Sequence, residues 1–129
     1  MIYHDFHLDS YEVKDRCSTI VLHLAYDYPG QQRLESRIEF QEVAAYDFIN
    51  TGGAIILDID EVPPAEILRE TFKEMKARCD QHGGYEHWDD DPGVYLRNLV
   101  RAGCRAWRIA GAVGFEGYVI AERIVAEPP

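Results

Sequence analysis

The chain has 129 residues, of which 47% are hydrophobic and 28% are charged, and its formal net charge at pH 7 is −10. Length and composition are typical of one globular domain over residues 1–129, with enough apolar residues for a core. The negative charge repels phosphate backbones and anionic lipids, so it argues against nucleic-acid and membrane partners and favours a basic protein partner. The sequence has no apolar run of the roughly 20 residues that a membrane-spanning helix needs, and its first residues lack the pattern of a signal peptide.

The number and spacing of the cysteines predict the cellular compartment. Cys17, Cys79 and Cys104 are odd in number and widely spaced. Such a set is a poor disulfide framework and is typical of free thiols in a reducing cytoplasm. We therefore expect a cytoplasmic protein.

The negative charge is concentrated in the first half of the chain. Residues 1–62 contain twelve acidic and four basic residues, whereas residues 63–129 contain eleven acidic and nine basic ones. An arginine run in the second half, Arg97, Arg101, Arg105 and Arg108, has no acidic residue within it. A spacing of four predicts that Arg97, Arg101 and Arg105 share one helix face, and we expect these arginines to pair with the acidic first half.

Alternation of apolar and polar residues predicts strands around residues 6–11 and over 18–28, 34–48 and 54–62. In the second of these, Ile20, Leu22 and Leu24 share one face. In the third, Ile38 and Phe40 point inward, and the register is expected to slip near residues 43–45.

Two helices are predicted between the strands. Pro63-Pro64 stops the fourth strand and begins a helix whose apolar positions 67, 68, 72, 75 and 79 fall on one side, with Gly83-Gly84 at its end. Asp91 caps a second helix, with Leu96, Leu99 and Val100 on its apolar face. A last hairpin covers residues 105–110 and 117–125. This order predicts an α+β fold, a mostly antiparallel sheet of about six strands with two helices inserted before a C-terminal hairpin.

Two acidic segments are the candidate partner-binding residues. Asp58 and Asp60 share one face of the fourth strand, about 7 Å apart at the strand rise, and Glu61 follows them. Paired carboxylates can do acid–base work or hold a cation, but a solvated face near the strand end is the favoured interpretation. The loop after the first helix places aromatic side chains among acids, as interfaces do, with candidates Tyr85, Glu86, His87, Trp88, Asp89 and Asp90.

Metal and catalytic patterns are weak. Cys79 and His82 have one zinc-like spacing and His87 follows, but the second short pair that a structural zinc site needs is missing. No nucleophile elbow or local cysteine-protease signature occurs. The sequence predicts no catalytic residue, no metal and no cofactor.

Several segments together resemble a group of small uncharacterised bacterial proteins, some of which are similar to immunity proteins of polymorphic toxin systems. The segments are His4-Asp5-Phe6, residues 19–24, 40–48 and 56–61, and the closing run over 114–121. The resemblance extends over most of the chain, and its motifs are strands and turns. It implies a cytoplasmic inhibitor that covers a basic toxin, and it transfers no catalytic residue.

The sequence leaves two function classes open. The first is a non-catalytic acidic protein-binding module whose partner is a basic protein, in the immunity case a toxin. The alternative is a small enzyme or ligand-binding protein with a pocket between sheet and helices that uses Asp58, His23 or His87. Self-association into a homodimer is left open by the sequence.

Overall fold

The protein is known from a computed structural model, which describes residues 6–50, 57–82, 91–111 and 115–127. Its elements in chain order are β1 (His7–Lys14), β2 (Thr19–Tyr26), β3 (Leu34–Asn50), β4 (Leu57–Val62), α1 (Pro64–His82), α2 (Pro92–Arg101), β5 (Arg105–Gly111) and β6 (Phe115–Glu127). The strands form one six-stranded antiparallel sheet in the order β1-β2-β3-β6-β5-β4. The predicted α+β fold is confirmed, with both helices placed before the β5–β6 hairpin.

The long strand β3 bends and takes part in both halves of the sheet. Its first part pairs with β2 as far as the Gln41–Thr19 pair, and beyond that only β6 continues beside it. The register against β6 shifts between Val43 and Ala45, as the sequence predicts, and Glu42 just before the shift has a left-handed φ of 53°. A bulge of this kind bends a strand. The sheet therefore divides into a first leaf (β1, β2 and the start of β3) and a second leaf (the end of β3 with β6, β5 and β4).

The main core lies between the two leaves. Aromatic rings from different leaves meet there, with Phe40 and Trp107 at 5.2 Å and Tyr11 and Phe48 at 5.2 Å between ring centroids. Tyr11 and Phe48 could not meet in a flat sheet, because Tyr11 aligns through Leu22 with a β3 position ten residues before Phe48, a distance of about 33 Å along a strand. The shared face of Ile20, Leu22 and Leu24 and the inward orientation of Ile38 and Phe40 are confirmed, since all five are buried here.

The helices pack on the opposite face of the second leaf. Ile67 and Leu68 of α1 and Tyr95 and Leu99 of α2 bury against a group of sheet residues, Ala45, Ala106, Tyr118 and Ile120. The sequence placed Val100 on this apolar face, and that expectation was wrong, because its side chain is 59% exposed. Tyr95 and Leu99, four residues apart, define the buried line, and Val100 lies to one side of it.

Helix boundaries follow the predicted signals. Pro64 is the first residue of α1, and the amide of Glu66 donates to the carbonyl of Pro63 at 2.9 Å. Asp91 caps α2, where its Oδ1 accepts from the amides of Gly93 at 2.8 Å and Val94 at 3.3 Å. These bonds satisfy amide groups that have no partner within the helix.

Gly117 on β6 lies where β3 approaches too closely for a side chain. A Cβ at this position would collide with the carbonyl oxygen of Asp47 and would lie 2.6 Å from Cδ1 of Phe48. We expect Gly117→Ala to lower the free energy of unfolding by about 1–3 kcal/mol, because the backbone oxygen can only be avoided by moving a strand. Denaturant unfolding measures this. Gly93→Ala is the control, since its Cβ would meet only the Asp91 side chain at 3.2 Å, and an equal loss there would contradict the explanation.

The left-handed backbone of Glu42 predicts that glycine is more stable than alanine at this position. In an ordinary strand Ala is more stable than Gly, but at a left-handed φ the Cβ of Ala costs about 1–2 kcal/mol. Both Glu42→Gly and Glu42→Ala remove the same exposed carboxylate. We expect the Gly variant to be the more stable of the two by about 1 kcal/mol in urea unfolding, and an Ala variant of equal or greater stability would show that the bend does not need this conformation.

Candidate functional site

The acidic strand singled out in the sequence, β4, is an edge strand of the sheet and pairs with β5. Asp58 is partly exposed, and Asp60 and Glu61 are exposed. The other predicted partner-binding residues, Tyr85, Glu86, His87, Trp88, Asp89 and Asp90, lie outside the described residues. The predicted site can therefore be followed only through its β4 half.

The three β4 acids do not lie on the same face of the strand. Ile59 is buried in the core between the leaves, so alternation places Asp58 and Asp60 on the helix side and Glu61 on the other side. Arg105 donates from Nε to Oε2 of Glu61 at 2.9 Å and from a second nitrogen to Oε1. The same guanidinium lies 5.1 Å from the ring centre of Trp107. Glu61 thus belongs to an ion pair at the rim of the core, where it anchors β4 to β5.

On the helix side, strand register brings carboxylates from three strands into two rows. One row, read across β4, β5, β6 and β3, is Asp58, Ala110, Glu116 and Ile49. The next row is Asp60, Arg108, Tyr118 and Asp47. Neighbouring strands lie about 4.8 Å apart, so Asp58 and Glu116, two strands apart, are separated by about 10 Å at the backbone.

Helix α1 adds carboxylates above these rows. Glu66, Glu70 and Glu74 recur every four residues and so lie along one side of the helix. Between α1 and the sheet is a groove of about 240 Å³, which we call the α1 groove. It is lined by Asp47, Ile49, Ile67, Glu70, Thr71, Glu74, Arg108, Ile109, Ala110, Glu116, Gly117 and Tyr118. Its lining includes apolar side chains, among them Ile49 and Ile67, which we call its floor, and carboxylates from both the sheet and α1. Asp58 and Asp60 lie outside this lining and extend the acidic surface to β4.

Arg108 is the one cation that lines the groove among the described residues. Its Nη1 donates to Glu70 at 3.1 Å, and its Nη2 donates to Glu66 at 3.3 Å. These hydrogen bonds and charges, led by the bond to Glu70, raise the pKa of Arg108 further above its already high value. Glu74, Glu116, Asp58 and Asp60 have no cationic partner within the part of the chain that the structure describes.

The arginine run is divided between two elements. Arg97 and Arg101 lie on α2, but Arg105 and Arg108 lie on β5, so the predicted helix face of Arg97, Arg101 and Arg105 was wrong. The helix ends at Arg101, and Gly103 beyond it has a positive φ of 84° that turns the chain towards β5. Within the described residues, the expected pairing with the acidic first half is seen for Arg105, which pairs with Glu61, whereas Arg108 pairs with helix residues from the second half.

Two of the side chains proposed for an enzymatic pocket, His23 and Asp58, are described, and the sheet does not bring them together. His23 lies on β2, on the outer face of the first leaf, where its Nε2 is 3.1 Å from Oε1 of Glu12. Asp58 lies on β4, with β3, β6 and β5 between the two strands. His87, the third candidate, lies outside the described residues.

The thiol of Cys104 is buried and stays protonated near neutral pH, as is typical of a cysteine with a structural role. Burial, with a smaller contribution from the charge of Glu122, raises the pKa of Cys104 to about 11. The thiolate is the nucleophilic form, so Cys104 is a poor nucleophile near neutral pH. Cys17 and Cys104 are both free, and nothing is described of the Cys79 side chain.

Residues 6–50, 57–82, 91–111 and 115–127 contain neither a metal-ligand cluster nor a membrane-spanning helix. Within these ranges no three His, Cys, Asp or Glu side chains are grouped closely enough to hold a metal ion. Neither described helix combines the length and hydropathy that crossing a membrane requires. The chain matches no protein-family model, no curated protein and no solved structure. The resemblance to immunity proteins therefore stays a prediction.

Sequence reasoning missed most of the α1 groove. The recurrence of Glu66, Glu70 and Glu74 was visible in the sequence and could have identified an acidic helix side. Asp47 and Glu116 gave no such signal, because each is a single acid in an alternating strand. Their proximity to α1 depends on sheet order and register, which local patterns do not encode.

Glu61 offers a test of the rim ion pair. The bond from Arg105 lowers the pKa of Glu61, so the pair stabilises the fold above the usual pKa of about 4.3 and this contribution is lost as the pH falls through the lowered value. Both side chains are about half exposed, so Glu61→Gln should lower the free energy of unfolding at pH 7 by no more than about 1 kcal/mol. The difference from the parent should shrink as the pH falls below about 4.3 and vanish once the pH is below the lowered pKa of Glu61.

Urea unfolding at several pH values measures this difference. Glu116→Gln is the control, since Glu116 has no cation beside it in the described part of the chain and its loss should leave stability unchanged or slightly higher. A Glu61→Gln deficit that stays constant from pH 7 to pH 3 would contradict the electrostatic origin.

Proposed function

We propose that this protein is a non-catalytic binding module that holds a basic protein partner at the α1 groove. The observation that supports this most is the meeting of carboxylates from β3, β4, β6 and α1 around an apolar floor, with Arg108 as the one lining cation in the described residues. Carboxylates so arranged repel one another, which a positively charged partner would relieve.

The size of the groove favours a protein surface over a small-molecule substrate. Pockets for drug-sized ligands and cofactors have volumes of about 300–1,000 Å³, whereas the α1 groove has about 240 Å³. A protein partner needs only part of its surface to enter such a groove while the remainder covers the surrounding acids. Asp58 and Asp60 on β4 would then form a border of the interface.

The charge of the whole chain supports the same partner. A net charge of −10 attracts basic proteins over distances of about a Debye length and speeds their association. Like charges oppose pairing of this groove with the same groove in a second copy. A homodimer through another surface is tested by measuring the molecular mass in solution.

For the identity of the partner we propose a bacterial toxin, neutralised in the cytoplasm. This finer proposal depends on the resemblance to immunity proteins, and the free thiols Cys17 and Cys104 are compatible with a reducing compartment. An inhibitor of this kind covers its target and needs no chemistry of its own. We propose that Tyr85, His87 and Trp88, singled out in the sequence, add aromatic contacts to the partner.

Binding to the partner should depend on the groove carboxylates and on salt. Affinity capture from the native cytoplasm, followed by titration of the purified partner at low and high salt, identifies and measures the complex. Replacing four acids together, Glu74→Gln and Glu116→Gln in the groove and Asp58→Asn and Asp60→Asn beside it on β4, should weaken binding about ten-fold or more, since each rim contact contributes about 0.2–1 kcal/mol. The variant should also flatten the salt dependence.

A control of equal charge separates the groove from general acidity. It replaces four acids of the first leaf and its turn, Asp9→Asn, Glu12→Gln, Asp15→Asn and Glu35→Gln, and it should bind within about two-fold of the parent. Equal weakening by both variants, salt-independent binding or the lack of any partner would contradict the proposal. Protection of cells that produce the partner would test the immunity role separately.

A further inference from the structure

Resting on the proposed function, we propose that the α1 groove is a receptor for one basic side chain of the partner, a lysine or an arginine. The charged end of that side chain would lie between Glu74 on the helix wall and Glu116 on the sheet wall. Its aliphatic stem would lie on the apolar floor formed by Ile49 and Ile67.

Arg108 already shows how the walls of the groove hold such a group. Its guanidinium bridges from β5 to Glu66 and Glu70, which are successive carboxylates on one side of α1. Glu74 is the next carboxylate in that series, one helical turn further. In the described part of the chain no cation reaches it.

Strand β5 supplies no second cation to the groove beyond Arg108. Along the helix side of β5, the position after Arg108 is Ala110, whose register partners are Asp58 and Glu116. Strand β5 therefore presents the guanidinium of Arg108 in one row and only the methyl group of Ala110 in the next. The space above this short side chain belongs to the groove, and carboxylates flank it on the neighbouring strands.

The shape and polarity of the groove match a long basic side chain. Lysine and arginine have an apolar stem and a charged end, and they lie along apolar surfaces with the charge at a polar rim. The lining of the groove, with isoleucines and carboxylates, has the same division. A neutral apolar side chain would leave the carboxylates uncompensated, and an acidic one would be repelled.

Small cations that represent the two side chains test this without knowledge of the partner. The probes are n-butylguanidinium for arginine, n-butylammonium for lysine and n-butanol as the neutral control, each titrated into the labelled full chain and followed by amide chemical shifts. We expect saturable shifts at residues 47–49, 70–74 and 116–118, with dissociation constants on the order of 1–10 mM. The tighter of the two cations identifies the side chain.

Ala110 provides a test that leaves the charge unchanged. Ala110→Leu fills the groove and should abolish probe binding and weaken the partner about ten-fold, whereas Ala126→Leu, another exposed alanine in a strand, should change neither. Glu74→Gln and Glu116→Gln should each weaken the cation probes about two- to five-fold, as loss of one partly exposed charge contact does. Glu12→Gln, on the first leaf, should leave them unchanged.

The outcomes separate this inference from the proposed function. Equal binding of n-butanol, shifts that spread over all acidic residues without saturation, or normal partner affinity in Ala110→Leu would overturn the side-chain receptor. If in that case the four-acid groove variant still loses the partner, the proposed function stands. If the cations saturate the groove but that variant keeps full partner affinity, the proposed function fails.

Discussion

The bend in β3 is the constraint on which the other features of the molecule depend. A straight strand of 17 residues would belong to a flat sheet with one face exposed, but the left-handed residue Glu42 and the register shift after it fold the sheet over its own core. The two leaves then cover each other, so the residues between them are buried without help from the helices. The helices remain available to pack on the outer face of the second leaf, and the α1 groove is a product of that packing.

Register connects this bend to the acidic groove. Side chains alternate between faces with a period of two, so a slip of one residue in β4 would exchange Asp58 and Asp60 with Ile59 and Glu61. Buried Ile59 opposes that slip through its apolar burial, and the Glu61–Arg105 ion pair holds the same register at the rim. The core therefore determines which carboxylates face α1. Asp58 and Asp60 lie beside the groove because Ile59 is buried in the core and Glu61 pairs with Arg105 on the other face.

Local patterns predicted the elements well, since strand alternation, the Pro63-Pro64 break and the Asp91 cap act over a few residues. They did not predict how the elements are ordered in the sheet. The β1–β2 turn has three consecutive left-handed residues, Asp15, Arg16 and Cys17, without the glycine or asparagine that usually marks such a conformation. Val100 was misplaced because an apolar residue one step from the buried line looks the same in sequence as one on it. The groove needs long-range register and a helix together, and neither is local information.

The structure also changes the interpretation of the acidic charge. The sequence places the excess of acids in the first half, but on the first leaf many of them are paired: Glu12 lies beside His23, Glu39 beside Arg37 and Lys14, and Asp27 and Glu35 beside Arg33. Exposed pairs of this kind contribute little stability but lower the local field. Among the acids without a cation in the described residues, Asp58, Asp60, Glu74 and Glu116 lie in or beside the α1 groove, whereas Asp9 and Asp15 lie on the first leaf and its turn. The four acids beside α1 come from both halves of the chain and lie close together, and no cation of the described residues neutralises them, which favours recognition of a positive group there.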